Sequence, residues 1–111
     1  MRFKDAVEIY DKLLNLKEAP EFLHNKGRAY LELGRLREAK ECFDRSIELD
    51  STYAYGYASF GNLANRDGEY QKSADYYLKA TRFAQDSDVY WFKLGVAFSA
   101  LIIRNQRKRS S

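Results

Sequence analysis

The sequence predicts an all-α fold of about six helices, arranged as antiparallel pairs in a stacked array, and three observations lead there. A 34-residue step recurs along the 111 residues, apolar side chains inside each step fall three and four apart, and only Pro20 interrupts the chain as a proline. Hydrophobic residues at 45% and charged ones at 32% give the balance of a folded chain. The length suits one compact array and excludes a multidomain enzyme.

The repeat is read from matched positions. Gly27, Gly61 and Gly95 stand 34 apart, as do Leu23, Tyr57 and Trp91. The same step takes Gly34 to Gly68, Leu36 to Tyr70, Phe43 to Tyr77 and Leu49 to Phe83, and carries the small residues Ala39 to Ser73 and Ser46 to Ala80. Large and small side chains recur in order, the mark of a structural repeat. At a step of 33, Phe3, Ala6, Tyr10, Leu13 and Leu16 foreshadow Leu36, Ala39, Phe43, Ser46 and Leu49. The expected divisions are a half repeat at 1–19, full repeats at 20–53 and 54–87, a half repeat at 88–103, and a basic disordered tail at 104–111.

Each helix has local grounds. The first, over 3–17, follows the apolar spacing from Phe3 to Leu16. The second, over 20–33, opens on Pro20, whose missing N–H costs nothing in a first turn, and stops before Gly34. The third covers 36–49. The fourth, over 53–66, has Ser51 or Thr52 as a candidate N-cap, and Gly68 follows it. The fifth covers 70–84, and the sixth runs over 88–104 behind Ser87 or Asp88. Short connections make neighbours antiparallel.

Glycine inside a helix costs about 1 kcal/mol against alanine. At Gly27, Gly61 and Gly95 the missing side chain is expected to admit a neighbouring helix, with the large residue four positions earlier filling the adjacent gap. Ala39, Ser46, Ser73 and Ala80 are the small partners on the facing helix.

Charge and chemistry narrow the function. The net charge of +3 hides an asymmetry: Arg104, Arg107, Lys108 and Arg109 have no acid among them, so the rest of the chain is near neutral. That end, with Tyr53, Tyr55 and Tyr57 for stacking, supports an RNA-associated adaptor as a competing reading. A short solubilising end is the simpler account, and nucleic acid is not the expected partner. Ser110, three residues after Arg107, has a basophilic-kinase spacing that is common by chance. The sole histidine, His24, and the sole cysteine, Cys42, fall on different helices, so a Cys-His nucleophile is not expected. No Cys and His cluster suits zinc, no Gly-rich loop suits phosphate, and neither catalysis nor a cofactor is expected. One unpaired cysteine and a charged N-terminal stretch fit a cytoplasmic setting.

The matched residues resemble the tetratricopeptide repeat, a 34-residue helix-turn-helix unit, over almost the whole chain. Tyr57, Phe60, Gly61, Tyr70, Ser73, Tyr77 and Ala80 carry the pattern, as do Leu23, Gly27, Tyr30, Ala39, Phe43 and Ser46; Trp91, Leu94, Gly95 and Phe98 open another unit. Lys26 stands where Leu is usual, Ala64 where Tyr is usual, and Ser51 and Gln85 where a closing Pro is common. The resemblance implies a right-handed α-solenoid and a scaffold that binds a protein or peptide in a concave groove lined by the first helix of each repeat. Carried over by position, that groove takes Glu21, His24, Asn25, Arg28 and Glu32, then Tyr55, Ala58, Ser59, Asn62 and Arg66, then Val89, Phe92, Lys93 and Val96. Helical spacing separately puts Glu21, His24, Arg28 and Glu32 on one face.

The last helix is unlike a polar cap. From Val89 to Ile103 only Lys93 and Ser99 are clearly polar, so burial on several faces is expected. The stretch is shorter than the roughly 20 residues a membrane span needs, and no span is expected. One reading is self-association, the helix at 88–104 of one molecule packing on the helix at 3–17 of another through Phe3, Tyr10, Trp91, Phe98, Leu101 and Ile102. It would give a helix-exchange dimer or a head-to-tail chain. The other is that the sequence is part of a longer array that covers this helix.

One subclass of the family grips acidic C-terminal carboxylates with a clamp of Lys, Asn, Lys and Arg. Here His24 and Arg28 occupy the first pair of positions, Tyr55 and Ser59 or Val89 and Lys93 the second, and only Asn25 offers a match. Calorimetric titration with an acidic C-terminal peptide is therefore expected to show no sub-micromolar binding.

Overall fold

The computed structural model describes residues 2–110, the side chain of Ser110 excepted. Among these residues are six α-helices and no strand: α1 (Phe3–Leu16), α2 (Pro20–Glu32), α3 (Leu36–Leu49), α4 (Ala54–Arg66), α5 (Tyr70–Phe83) and α6 (Asp88–Ser110). The first five agree with the sequence reading to within a residue at each end. α6 is longer, so residues 104–110, expected as a disordered tail, continue the helix. Part of the reason is Arg104, whose guanidinium lies 4.7 Å from the centre of the Tyr70 ring and so ties the extension to the start of α5. The kinase-like pattern ends on Ser110, a side chain outside the described residues.

Three of the connections are set by identifiable chemistry. Gly34 and Gly68 both have φ +74°, the left-handed conformation that side chains disfavour. Gly34 N–H donates to the Leu31 carbonyl at 3.0 Å and Arg35 N–H to that of Tyr30 at 2.9 Å; Gly68 and Glu69 repeat this with Asn65 and Ala64. These paired bonds satisfy the last carbonyls of α2 and α4. The α3–α4 turn differs from expectation. Asp50 accepts from the Thr52 N–H at 2.9 Å and from its hydroxyl at 2.6 Å, so Asp50 organises the turn and Tyr53 precedes α4, in place of a Ser51 or Thr52 cap. Before α6, the Ser87 carbonyl accepts from Trp91 N–H at 3.3 Å.

The chain divides into two compact units, Met1–Gly56 and Tyr57–Ser111. In the first, α2 packs on both α1 and α3. Phe43 is fully buried and its ring fills the notch at Gly27, where a Cβ would stand 2.6 Å from the ring. Lys26, on the face of α2 towards α1, reaches across to Asp11 at 2.5 Å. Burial works to lower the Lys26 pKa, but the hydrogen bond and charge of Asp11 outweigh it and the ammonium is held charged.

The second unit repeats the device. A Cβ at Gly61 would stand 2.9 Å from the Tyr77 ring, and the Ser73 hydroxyl donates to the Gly61 carbonyl at 2.9 Å. The notches are thus filled by Phe43 and Tyr77 of the facing helices, the close approach of a neighbouring helix that the glycine spacing predicts. α6 packs on α5 through one face: Tyr90, Leu94 and Ala97 are buried, while Val89, Phe92, Val96, Ile102 and Ile103 are exposed. Trp91, the counterpart of buried Leu23, is 49% exposed, and among the described residues nothing lies within 4 Å of a Cβ at Gly95.

The glycines should therefore respond in opposite ways. Gly27→Ala forces the Phe43 ring to move, an overpacking cost of about 1–3 kcal/mol that exceeds the alanine's helix gain of about 1 kcal/mol. Gly95→Ala meets no neighbour and is expected to stabilise by up to about 1 kcal/mol. Urea midpoints at low protein concentration check both signs.

Candidate functional site

The residues nominated for partner contact fall in both units, and each unit presents its own set. In the first, successive turns of α2 carry Asn25, Arg28 and Glu32 to one side. With Ala29 and with Phe3, Ala6 and Tyr10 of α1 they line a cavity of about 450 Å³. Glu21 is exposed at the start of α2, and Tyr55 is exposed. The expected spacing along α2 thus places a cation, an amide and a carboxylate beside aromatic and small apolar side chains.

His24 behaves differently from its neighbours on that face. It is 6% exposed, and its ring lies 5.5 Å from Phe43, 5.8 Å from Tyr53 and 5.7 Å from Tyr55, centre to centre. Burial foremost, and then the positive charge of Arg28, push its pKa down to about 4, against a hydrogen bond with Asn25 that raises it. The imidazole is a neutral member of an aromatic cluster, a correction to its expected place as a groove-facing contact. Helical periodicity puts His24 on the same face as Arg28; the tyrosines arriving from the α3–α4 turn and α4 decide its burial.

In the second unit Asn62, Phe92, Lys93 and Val96 come together with Asn65 and Tyr77 around a cavity of about 210 Å³. Asn62 Oδ1 accepts from Lys93 Nζ at 2.9 Å and from the Tyr77 hydroxyl. Lys93 also lies over the Tyr77 ring, 5.9 Å from its centre. Burial first, and then Tyr90, raise the Tyr77 pKa to about 12, so the phenol remains a donor at neutral pH. Phe92 is 72% exposed at this cavity. Arg66 and Val89 are exposed, whereas Ala58 and Ser59 are buried and present little to a partner. The sequence reading passed over Asn65, one turn beyond Asn62, and Tyr77, which packs and lines the cavity at once.

The remaining candidates are also placed. Tyr53 and Tyr55 pack against each other at 5.6 Å, and Tyr57 stacks on Phe83 at 5.7 Å. Arg104, Arg107 and Lys108 line a cavity of about 540 Å³ with Tyr70, Ala100 and Ile103. Cys42 is buried, which pushes its thiol pKa up and away from nucleophilic use. Among the described residues no three His, Cys, Asp or Glu side chains converge as metal ligands, and no helix is long and apolar enough to cross a membrane.

Comparison with known proteins agrees with this geometry. Residues 20–53 match a family model described as tetratricopeptide repeat. A TPR repeat-containing protein of Methanocaldococcus jannaschii is 30% identical over 77 residues, which are 69% of this chain and 14% of that protein. Anaphase-promoting complex subunit 3 of Schizosaccharomyces pombe is 33% identical over 61 residues, 55% of this chain and 9% of that protein. The chain thus spans a small fraction of the curated relatives it matches. Among solved structures, the Sgt2 TPR domain from Aspergillus fumigatus superposes with a TM-score of 0.80 at 20% identity, covering 94% of this chain and 71% of that one. The MamA protein gives 0.77 at 22%, covering 96% and 59%. At those identities the likeness shows the fold alone, an all-α helical repeat solenoid.

The buried imidazole yields a pH prediction. His24 stays neutral in the fold while the unfolded chain takes up a proton below 6.5, so its contribution to stability is full above that value and is lost as pH falls towards about 4. The difference in unfolding free energy between wild type and His24→Phe is expected to shift by an amount on the order of 2 kcal/mol across that window, read from urea curves at pH 7.5 and 4.5.

Proposed function

Because the chain belongs to the tetratricopeptide repeat family, we propose that it is a non-enzymatic scaffold that binds a peptide or protein segment along the first helices of its repeats, in the family's concave groove. The observation that carries this reading is Phe92, a ring 72% exposed at the 210 Å³ cavity bounded by Asn62, Lys93 and Val96. Water-facing aromatic surface of that kind is the usual anchor of a protein interface, and the adjacent amide and ammonium supply orientation. Asn25, Arg28 and Glu32 give the other unit a mixed-charge surface of the same type. Folded helices hold these groups before a partner arrives, which limits the ordering cost of binding.

The partner suited to the Phe92 cavity carries an apolar side chain next to a hydrogen-bond acceptor for Lys93. The cytoplasmic setting belongs to the same proposal and rests on the unpaired Cys42. The test is calorimetry with a partner captured by the chain and purified. Phe92→Ala and Lys93→Ala are each expected to weaken binding, Phe92→Ala by about 30-fold, without changing the helical circular dichroism. Lys72→Ala, on the exposed side of α5, should leave affinity unchanged. An equal loss in all three variants, or none in the first two, would refute groove binding.

A further inference from the structure

Three cations meet beside one ring in the second unit, and no carboxylate pairs with the two arginines among them. The cavity of about 540 Å³ has Tyr70, at the start of α5, on one side and a single face of α6 on the other, where Ala100, Ile103, Arg104, Arg107 and Lys108 recur at helical spacings of three and four. Like charges at those spacings repel. Elsewhere the chain sets arginines against acids: Arg2 on Asp5, Arg35 on Glu38, Arg37 on Glu41 and Arg45 on Glu18. Among the described residues no ion pair joins Arg104 or Arg107 to an acid. α6 has no Asp or Glu after Asp88, and Glu69, next to Tyr70, is engaged by Lys72 at 3.1 Å.

Arg104 is already oriented. Its guanidinium lies 4.7 Å from the centre of the Tyr70 ring, and Gly68 gives it room, since a Cβ there would stand 3.0 Å from the Arg104 Nη2. Stacking uses the flat face of a guanidinium and leaves its N–H edge for an acceptor, in a geometry that grips two oxygens at once. Ala100 and Ile103 put apolar surface beside these donors.

We propose that this cavity binds a phosphorylated serine or threonine of a partner protein, with Arg104 and Arg107 gripping the phosphate, Lys108 adding charge and the next side chain of the peptide resting on Ile103. Charge selects the group. A phosphomonoester carries about −1.5 to −2 at neutral pH with three acceptor oxygens, so it comes nearer than a single carboxylate to balancing the cations of the lining. Nucleic acid is the other source of phosphate and fits less well. The ring in the lining, Tyr70, already carries a guanidinium and leaves a base little to stack on, whereas Ala100 and Ile103 suit a peptide side chain. None of these residues lines the Phe92 cavity, so the two sites stand or fall separately.

The test is fluorescence anisotropy on the full chain with two pools of labelled nonapeptides, random except for a central phosphoserine-leucine in one and serine-leucine in the other, and with a labelled RNA trinucleotide. The phosphorylated pool is expected to bind about 10-fold or more tightly than the unphosphorylated pool. Arg104→Gln and Arg107→Gln should each remove most of that preference while keeping the helical circular dichroism. Arg109→Gln removes the same charge but lies outside the lining, and should keep the preference. Equal binding of the two pools overturns the proposal. So does a loss in Arg109→Gln as large as that in Arg107→Gln, which diffuse attraction to the basic end would give. RNA that binds more tightly than the phosphorylated pool and loses affinity in Arg104→Gln would assign the cavity to nucleic acid and overturn it too.

Discussion

An aromatic ring seated against a glycine in the middle of a facing helix is the contact on which each unit depends. Phe43 at Gly27 and Tyr77 at Gly61 sit where a Cβ on either glycine would stand within 3 Å of the ring. Helical glycine costs about 1 kcal/mol, while full burial of a large apolar side chain contributes roughly 1.5–3 kcal/mol, so the exchange favours the pair. It also fixes register, because the ring fits only where the side chain is missing. The short connections, closed by left-handed Gly34 and Gly68, then return the chain at the right distance to make that fit.

A first helix anchored through one face has its other faces available. Along α2 this leaves Asn25, Arg28 and Glu32 beside a cavity, and along α6 it leaves Phe92, Lys93 and Val96 beside another. Polar groups at the second cavity are organised by one oxygen, Asn62 Oδ1, which accepts from both Lys93 and Tyr77. A phenol that packs against glycine with its ring and donates with its hydroxyl links the core contact to the lining of that cavity. Disturbing the notch at Gly61 would disturb that donor as well.

α6 is packed differently from α2 and α4. Its face towards α5 is buried, while Trp91 and other large apolar side chains are exposed, and among the described residues nothing lies within 4 Å of a Cβ at Gly95. Beyond the repeat pattern the helix continues through four basic residues, with Arg104 stacked on Tyr70. A residue near the end of the chain thus acquires a structural role that its charge alone does not suggest.

The sequence by itself determined the repeat, the six helices, their ends to within a residue for the first five, and the two left-handed turns. These follow from side-chain size and backbone preference at short range, which periodicity records directly. It also placed Asn25, Arg28, Glu32, Asn62, Phe92 and Lys93 at positions that prove to line cavities, because the face of a helix is fixed by spacing. Only the tertiary structure decided that Phe43 and Tyr77 occupy the notches, that His24 is buried and neutral among rings from the α3–α4 turn and α4, and that α6 extends over Arg104. Each of these depends on atoms delivered by another element, and a pattern along one helix carries no information about which side chain will arrive from the next.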